Sequence, residues 1–408
     1  MKIALIKETK IPVDNRVALS PKQVAELNKK YPNHQIVVQS SDIRAFSDDE
    51  YREQGVSVVS DVSDCDLFFG IKEAKLESLI PNKQYFFFGH FAKMQEYNRP
   101  LLQTLMRKGI TFCDYEYLVD DNNIRVCAFG WWAGVVGVYY TLRGYGIKYN
   151  LFDLPKPDQR FTLDRLIESL KKIELPKVRL LVTGAGRVSH GAQHVLDAIG
   201  ARRMEEMEYL SDEPVDSFSY CVADVDRLVK RKDGAPFSFK DFLGNIPAYE
   251  SDFIRWAQKT DILLCCHFWE PEAPVYLSEE DLRREDVRIR MIGDVTCDIK
   301  GSVKSTIRSS THDAPYFDYN PISEQEEPAF SSSKNISVMA VDTCPNALAM
   351  DTSVYFGEML IKHVFDPLLK GDPSDVIARS MILEKGALTT RFAYLSDFAQ
   401  LSHDHALC

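Results

Sequence analysis

The sequence predicts an α/β protein with two mainly parallel sheets, on three observations. In roughly the first third of the chain, short apolar runs alternate with amphipathic stretches, the pattern of strands joined by helical crossovers. A strand-to-glycine-turn-to-helix passage over Val178–Ala192 opens a second series of the same kind. The chain has 408 residues, 45% hydrophobic and 27% charged, which suffices for two domains of ordinary size, each with its own core.

The elements follow in order. Ile3–Ile6 is expected to be a strand. Pro21–Lys30 is expected to be a helix, with Ser20 as its N-cap and Pro21 at its first position. Strands are expected at His34–Gln39, Val56–Val59, Leu67–Ile71, Tyr85–Phe88 and Ile110–Asp114, with a helix over Arg99–Lys108 before the last of them. A helix is expected at about Trp131–Tyr149. Asp153–Leu175, polar and proline-containing, is expected to be a surface excursion ending in a helix. In the second series, strands are expected at Val178–Thr183 and near Phe218–Ala223, Ile262–Cys266 and Ile289–Asp294. Asn320–Lys334 looks irregular, and Ser337–Val341 leads into helices that include Ser353–Val364.

Composition excludes some partners. The formal net charge is -11, and the basic cluster Lys230-Arg231-Lys232 sits among acids, as a solvated turn would. A nucleic-acid partner would need a concentrated basic face, so none is expected. The nine cysteines lack metal-ligand spacing, so no metal is expected. Cys265-Cys266 lies in an apolar run and is expected to be buried. Met1–Lys10 is a short strand followed by charge, without the apolar core of a leader peptide. A cytoplasmic protein with reduced thiols is therefore expected. Val126–Leu142 is an uncharged run of 17 residues, at the lower limit for crossing a bilayer. Its three glycines (Gly130, Gly134 and Gly137) favour a buried helix packed closely on neighbouring backbone, and no membrane partner is expected.

In Gly184-Ala185-Gly186-Arg187-Val188-Ser189, Gly184 permits the tight turn. Gly186 lets backbone approach a pyrophosphate, whose charge a helix N-terminus favours. Ser189 stands where the standard pattern has its third glycine and is small enough for close packing. The plain alternative is an ordinary glycine turn; the strand and helix on either side favour nucleotide binding. An acid for the ribose is expected ~20 residues on. Glu205, Glu206 and Glu208 lie near that distance, and Glu206 is taken as the candidate. Arg202 and Arg203 beside them suit a 2′-phosphate instead, so NAD is expected, with NADP as the alternative.

Lys72 and His90 each follow an apolar strand, the side on which open α/β sheets collect functional groups. Partial burial would lower the lysine's pKa and make it a usable base. The plain readings are an edge lysine and a satisfied core histidine. Arg16, just before a helix, suits a carboxylate; its plain reading is a surface salt bridge.

Taken together, these segments resemble a known family. Glu8-Thr-Lys, Arg16-Val-Ala-Leu-Ser-Pro, Gly70-Ile-Lys72-Glu73, Phe88-Gly-His90-Phe-Ala-Lys93-Met-Gln95, Asp114-Tyr-Glu116-Tyr-Leu and Arg125-Val-Cys-Ala-Phe-Gly-Trp-Trp-Ala-Gly134 appear in the order seen in lysine-forming saccharopine dehydrogenases. So do Gly186-Arg-Val-Ser-His-Gly191, Asp294-Val-Thr-Cys-Asp298 and Val341-Asp342-Thr-Cys-Pro345. The wider superfamily includes alanine dehydrogenase and the nicotinamide nucleotide transhydrogenase domain. The departures are Ser189, the long segment Leu210–Ser251 and the insertion Asp153–Pro176.

The resemblance implies two Rossmann-like, doubly wound parallel-sheet domains with a cleft between them. The substrate domain would comprise residues 1–130 and 343–408, and the dinucleotide domain residues 131–342. Lys72 and His90 would be the acid–base pair, with Arg16, Glu73, Lys93, Gln95, Glu116 and Arg125 around substrate and nicotinamide. Gly184, Ala185, Gly186, Arg187, Val188, Glu206, Cys266, His267, Asp294, Asp298 and Asp342 would line the cofactor. The implied reaction is reversible oxidative cleavage of an opine to an amino acid, lysine, and 2-oxoglutarate. The rivals are an alanine dehydrogenase or other amino-acid dehydrogenase, and a non-catalytic dinucleotide-binding regulator. An oligomer is allowed for; related enzymes range from monomers to hexamers.

Overall fold

The computed structural model describes residues 1–91, 94–371 and 375–400. The chain divides into two compact units, Met1–Phe129 with Ala349–Cys408, and Gly130–Leu348. Each is a doubly wound α/β domain.

In the first unit, β1 (Lys2–Leu5), β2 (Gln35–Gln39), β3 (Val58–Val59), β4 (Leu67–Phe69), β5 (Gln84–Phe87) and β6 (Thr111–Asp114) pair in the order β6-β5-β4-β1-β2-β3, all parallel. The chain winds one way from β1, then returns to β1's other side at β4. An antiparallel strand, Met381–Glu384, adds to β6, which the sequence pattern does not foresee. Alternate side chains enter two separate cores. Ile3, Leu5, Leu67, Phe69 and Phe86 pack on one face against Phe356, Leu360 and Phe365 of the C-terminal helices. Ala4, Phe68, Tyr85 and Phe87 pack on the other against Leu101, Leu102 and Leu105. Both faces are thus apolar, which is why these strands are continuous apolar runs. The helix Pro21–Lys30 starts as expected, and Gln23 closes a capping box on Ser20.

The second unit holds β7 (Arg179–Thr183), β8 (Arg202–Arg203), β9 (Ser219–Ala223), β10 (Val229–Arg231), β11 (Tyr249–Ser251), β12 (Ile262–Cys265), β13 (Met291–Asp294), β14 (Tyr316–Asn320), β15 (Gln325–Glu327) and β16 (Ile336–Met339). Its sheet runs β15-β14-β16-β13-β12-β7-β9-β8, parallel from β16 to β8. The switch point lies between β7 and β12. Here too the faces diverge: Leu180, Val182, Ile262 and Leu264 enter one core, and Leu181, Leu263 and Cys265 the other. The reading of Asn320–Lys334 as irregular is corrected in part, because Tyr316–Asn320 and Gln325–Glu327 form an antiparallel hairpin on the sheet edge. Pairing with β16 supplies what that polar stretch lacks in local propensity. Lys230-Arg231 likewise belongs to the small β10–β11 ribbon rather than a turn. Its charges are met by Asp233, Asp241, Glu250 and Asp252.

The uncharged run forms the helix Gly130–Tyr149, most of it buried in the second unit's core. Among the described residues no helix is long and apolar enough to cross a membrane. This helix packs on the helix Arg187–Ala198 backbone to backbone. A Cβ at Gly134 would overlap the Val188 carbonyl, and one at Gly191 would overlap the Trp131 carbonyl. His267, just past β12, ties three segments together. Its Nδ1 lies 2.6 Å from Thr183 Oγ1 at the end of β7, and its Nε2 lies 2.8 Å from Ser302 Oγ in the loop after β13. Burial pushes its pKa down to about 3, so the ring is neutral.

Two expectations follow. Gly191→Ala should force the two helices apart and destabilise the protein by about 1–3 kcal/mol, measured by denaturant unfolding. His267 takes up protons in the unfolded chain, at its ordinary pKa, before it does in the fold. Its contribution to stability is therefore complete above about pH 6.5 and is lost as pH falls toward its folded value. Unfolding free energy of the wild type should fall over that window more steeply than that of His267→Gln; parallel curves would refute the strut.

Candidate functional site

In the first unit the chain leaves β4 through Gly70-Ile71 and presents Lys72; it leaves β5 through Phe88-Gly89 and presents His90. The two strands are neighbours, so the side chains meet, with Lys72 Nζ 3.4 Å from His90 Nε2. His90 Nδ1 lies 3.3 Å from Glu116 Oε1, which fixes the ring and its tautomer. Arg125 closes the far side: its Nε donates to the Glu116 carbonyl at 3.2 Å and its Nη2 lies 3.7 Å from the carboxylate. The result is a chain of proton-bearing groups, Lys72–His90–Glu116–Arg125.

Lys72 is half-buried, and its pKa is lowered first by loss of water, then by the charges of Arg16 and Lys10; Asp14 and Glu73 oppose them. Glu73 is itself held by Lys10 at 2.8 Å. Arg16 is not a surface residue. It is 4% exposed, donates from Nε and Nη2 to both oxygens of Asp14, and lies 4.3 Å over the Phe129 ring. The guanidinium holds the Asp14 carboxyl below its usual range against the burial that would raise it.

His90 has a φ of +55°, the left-handed region that side chains avoid. Gly89 makes room, since a Cβ there would press on Phe91 and Phe112. The strained turn is held from both ends: Gly89 N donates to Asp114 Oδ2 at 3.1 Å, and Asn98 Nδ2 donates to the His90 carbonyl at 3.0 Å. Gln95 is exposed at the start of the helical turn Glu96–Asn98. Lys93 lies outside the described residues.

In the second unit the glycine turn follows β7. Gly184 has a φ of +86°, and a Cβ on it would strike the His267 backbone. Gly186 is the N-cap of the helix Arg187–Ala198, and a Cβ on it would meet nothing within 4 Å. A helix start with no side chain at its N-cap suits a pyrophosphate. Ala185 and Arg187 are exposed there and Val188 is half-buried; Ser189 is fully buried beneath the turn. Cys266 is buried, as is Asp294, which braces its own loop by accepting from Thr296 and Thr306. Asp298 is half-buried and Asp342 exposed.

Glu206 sits on a short helix after β8, ion-paired to Arg227 and, at 2.8 Å, to Arg255. On the side of β7 away from β12 the neighbouring strand is β9, and Gly184 N donates to the Ala223 carbonyl at its end, 2.8 Å away. The acid that follows β9 is Asp224, which is exposed and which spacing along the sequence misses. Its signal is present, an apolar strand ending in Asp, but the segment before Phe218 carries it well past the usual distance. Among the described residues no cluster of His, Cys, Asp and Glu is disposed to hold a metal.

Comparison with known proteins agrees with this fold. Residues 4–136 match the family model for the alanine dehydrogenase/PNT N-terminal domain. The alpha-aminoadipic semialdehyde synthase of Arabidopsis thaliana is 28% identical over 96% of this chain and 41% of its own length; that of Bos taurus is 25% identical over 99% and 48%. The chain therefore spans less than half the length of these relatives. The saccharopine dehydrogenase [NAD(+), L-lysine-forming] of Candida glabrata is 27% identical over 87% of this chain and 88% of its own. Among solved structures, an L-alanine dehydrogenase superposes with a TM-score of 0.66 at 17% identity, covering 98% of this chain and all of the other. A transhydrogenase from Sinorhizobium meliloti superposes with a TM-score of 0.53 at 14% identity, covering 95% of this chain and 99% of its own. The chain is thus similar over most of its length to saccharopine dehydrogenases and alpha-aminoadipic semialdehyde synthases, and it shares the two-domain Rossmann-like fold of alanine dehydrogenase.

Proposed function

We propose that the protein is a nicotinamide-dependent oxidoreductase acting on CH–NH bonds, reversibly cleaving a secondary-amine opine to lysine and 2-oxoglutarate. The observation that carries this reading is the Lys72–His90–Glu116 chain, with Lys72 depressed in pKa by burial and neighbouring cations. Cleaving such an amine needs a base at nitrogen, water addition at carbon and collapse of a carbinolamine, each with a proton to move. Lys72 takes the proton from the amine nitrogen. His90, oriented by Glu116, moves the protons of water addition and collapse. Arg16, whose Nε and Nη2 donate to Asp14, would offer its remaining donor to a substrate carboxylate, and Arg125 and Lys10 would favour the remaining negative charge.

The first unit is the substrate domain in this reading and the second the dinucleotide domain. Gly184, Gly186 and the start of the helix Arg187–Ala198 would hold the pyrophosphate, and Asp224 the ribose hydroxyls. A carboxylate at that position repels a 2′-phosphate, so the cofactor is NAD. Glu206, occupied by two arginines, shapes the border of the site instead. When bound, the nicotinamide supplies hydride transfer. A cytoplasmic setting belongs to the same reading.

The reaction is tested by following NADH and NADPH oxidation with 2-oxoglutarate plus lysine, against pyruvate plus ammonia. Turnover with the first pair is expected. Turnover with the second alone would make the protein an alanine-type dehydrogenase, and tight NADH binding without turnover would make it a regulator. Lys72→Met should then slow turnover by roughly 10²–10⁴-fold and remove one limb of the pH profile, while NADH affinity stays unchanged.

Cofactor choice is tested by fluorescence titration. Gly186→Val should abolish NADH binding in a folded protein, and Asp224→Ser should weaken NADH while improving NADPH by roughly tenfold or more. If Asp224→Ser leaves both affinities unchanged, the ribose lies elsewhere.

A further inference from the structure

Two buried carboxyl groups lie behind the Lys72–His90 pair, and the mechanism uses neither. Glu8 is 8% exposed and Asp114 fully buried. Their hydrogen bonds come from backbone N–H groups. Glu8 Oε1 accepts from Ile71 N at 2.6 Å, and its Oε2 from Lys72 N at 2.9 Å. Asp114 Oδ2 accepts from Gly89 N at 3.1 Å, and its Oδ1 from Glu116 N at 2.9 Å.

Three of these N–H groups, those of Ile71, Lys72 and Gly89, share one property. The β4–β5 ladder ends with Gly70 N on the Phe86 carbonyl and Phe88 N on the Ile71 carbonyl. Beyond it the two chains diverge to present Lys72 and His90, and the next donors leave the sheet. Buried donors left unmet are costly, so each turn takes a shape that points them at an acceptor. The two acceptors set the shape: Glu8 on one turn, Asp114 on the other. The need is greatest at His90, whose left-handed backbone persists only where its surroundings over-determine it.

We propose that Glu8 and Asp114 are positioning residues for the acid–base pair, Glu8 fixing the turn that carries Lys72 and Asp114 the turn that carries His90. The proposal rests on the assignment of Lys72 and His90 made above. Keeping these carboxyls buried has a consequence for both: burial pushes Glu8 up to about 8, with Asp14 adding to the rise and the two N–H donors and Arg16 opposing it. Burial, then the Glu116 charge, also raises Asp114, against its N–H donors and Arg125. The charged groups that bear on Lys72 are Arg16, Lys10, Asp14 and Glu73, and His90 faces Lys72 and Glu116.

The test uses Glu8→Gln and Asp114→Asn, which keep volume but offer one acceptor where two are needed. Competitive labelling, read by peptide mass spectrometry over about pH 6–10, titrates Lys72 with acetic anhydride and His90 with diethyl pyrocarbonate. Glu8→Gln should move the Lys72 titration by about one pH unit and leave His90 in place; Asp114→Asn should do the reverse. With substrates, each should lower kcat by roughly 10- to 100-fold while NADH affinity holds. Glu8→Asp, which keeps the carboxylate but shortens its reach, gives the same readout should Glu8→Gln fail to fold, and Asp114→Glu serves likewise. Unchanged titrations in folded variants would overturn the proposal. So would equal movement of both groups with a lowered Tm, the sign of general loosening. Labelling needs no turnover, so it decides the proposal even where no substrate pair reacts.

Discussion

The chemistry of the first unit depends on placing an ammonium group where water cannot surround it. Lys72 stands at the end of a strand covered on both faces by aromatic and aliphatic side chains, and it inherits part of that burial. A lone buried cation would be expelled or neutralised. Here the surroundings hold it without cancelling its reactivity. Arg16 and Lys10 push its proton away, and their own charges are balanced by Asp14 and Glu73. An acidic protein thus maintains a local group of cations through two ion pairs close to the lysine.

In the proposed function the second unit meets the opposite problem, an anion to be held rather than a cation to be disarmed. Its answer is bare backbone. Gly184 and Gly186 keep side chains away from the helix start, and Gly134 and Gly191 let the helix Gly130–Tyr149 lie directly on the helix that carries the loop. His267, neutral and bonded through both ring nitrogens, pins the end of β7 to the loop beyond β13. Close to the glycine turn, this histidine ties neighbouring segments together. The two units share one architectural rule: in the proposed function, both place their site residues at the carboxyl ends of parallel strands beside a reversal of winding direction.

Much of this is legible in the amino-acid sequence. Continuous apolar runs bounded by turns mark the strands, and the glycine turn between strand and helix marks the phosphate loop. Lys72 and His90 stand out because a charged or titratable group directly after a buried strand demands an explanation. Other features leave no such mark. Asp224 escapes notice because the chain wanders between Gly200 and Phe218, so distance along the sequence misjudges which strand lies beside β7. The hairpin after Tyr316 and the strand Met381–Glu384 are polar or mixed in composition and owe their form to the sheet edges they join.

The sequence by itself determined the α/β class, the two series of elements, the glycine turn between strand and helix, and the two candidates for proton transfer. Each of these is a local property: periodicity, a glycine at a turn, a polar residue after an apolar run. Tertiary structure alone decided that Lys72 and His90 meet, because only the pairing of β4 with β5 puts the two strand ends side by side. It also decided that Arg16 is buried on Asp14 and Phe129, and that Glu8 and Asp114 satisfy donors from distant strands. Hydrogen bonds and desolvation act through space, and the backbone donors that Glu8 accepts from are up to 64 residues away.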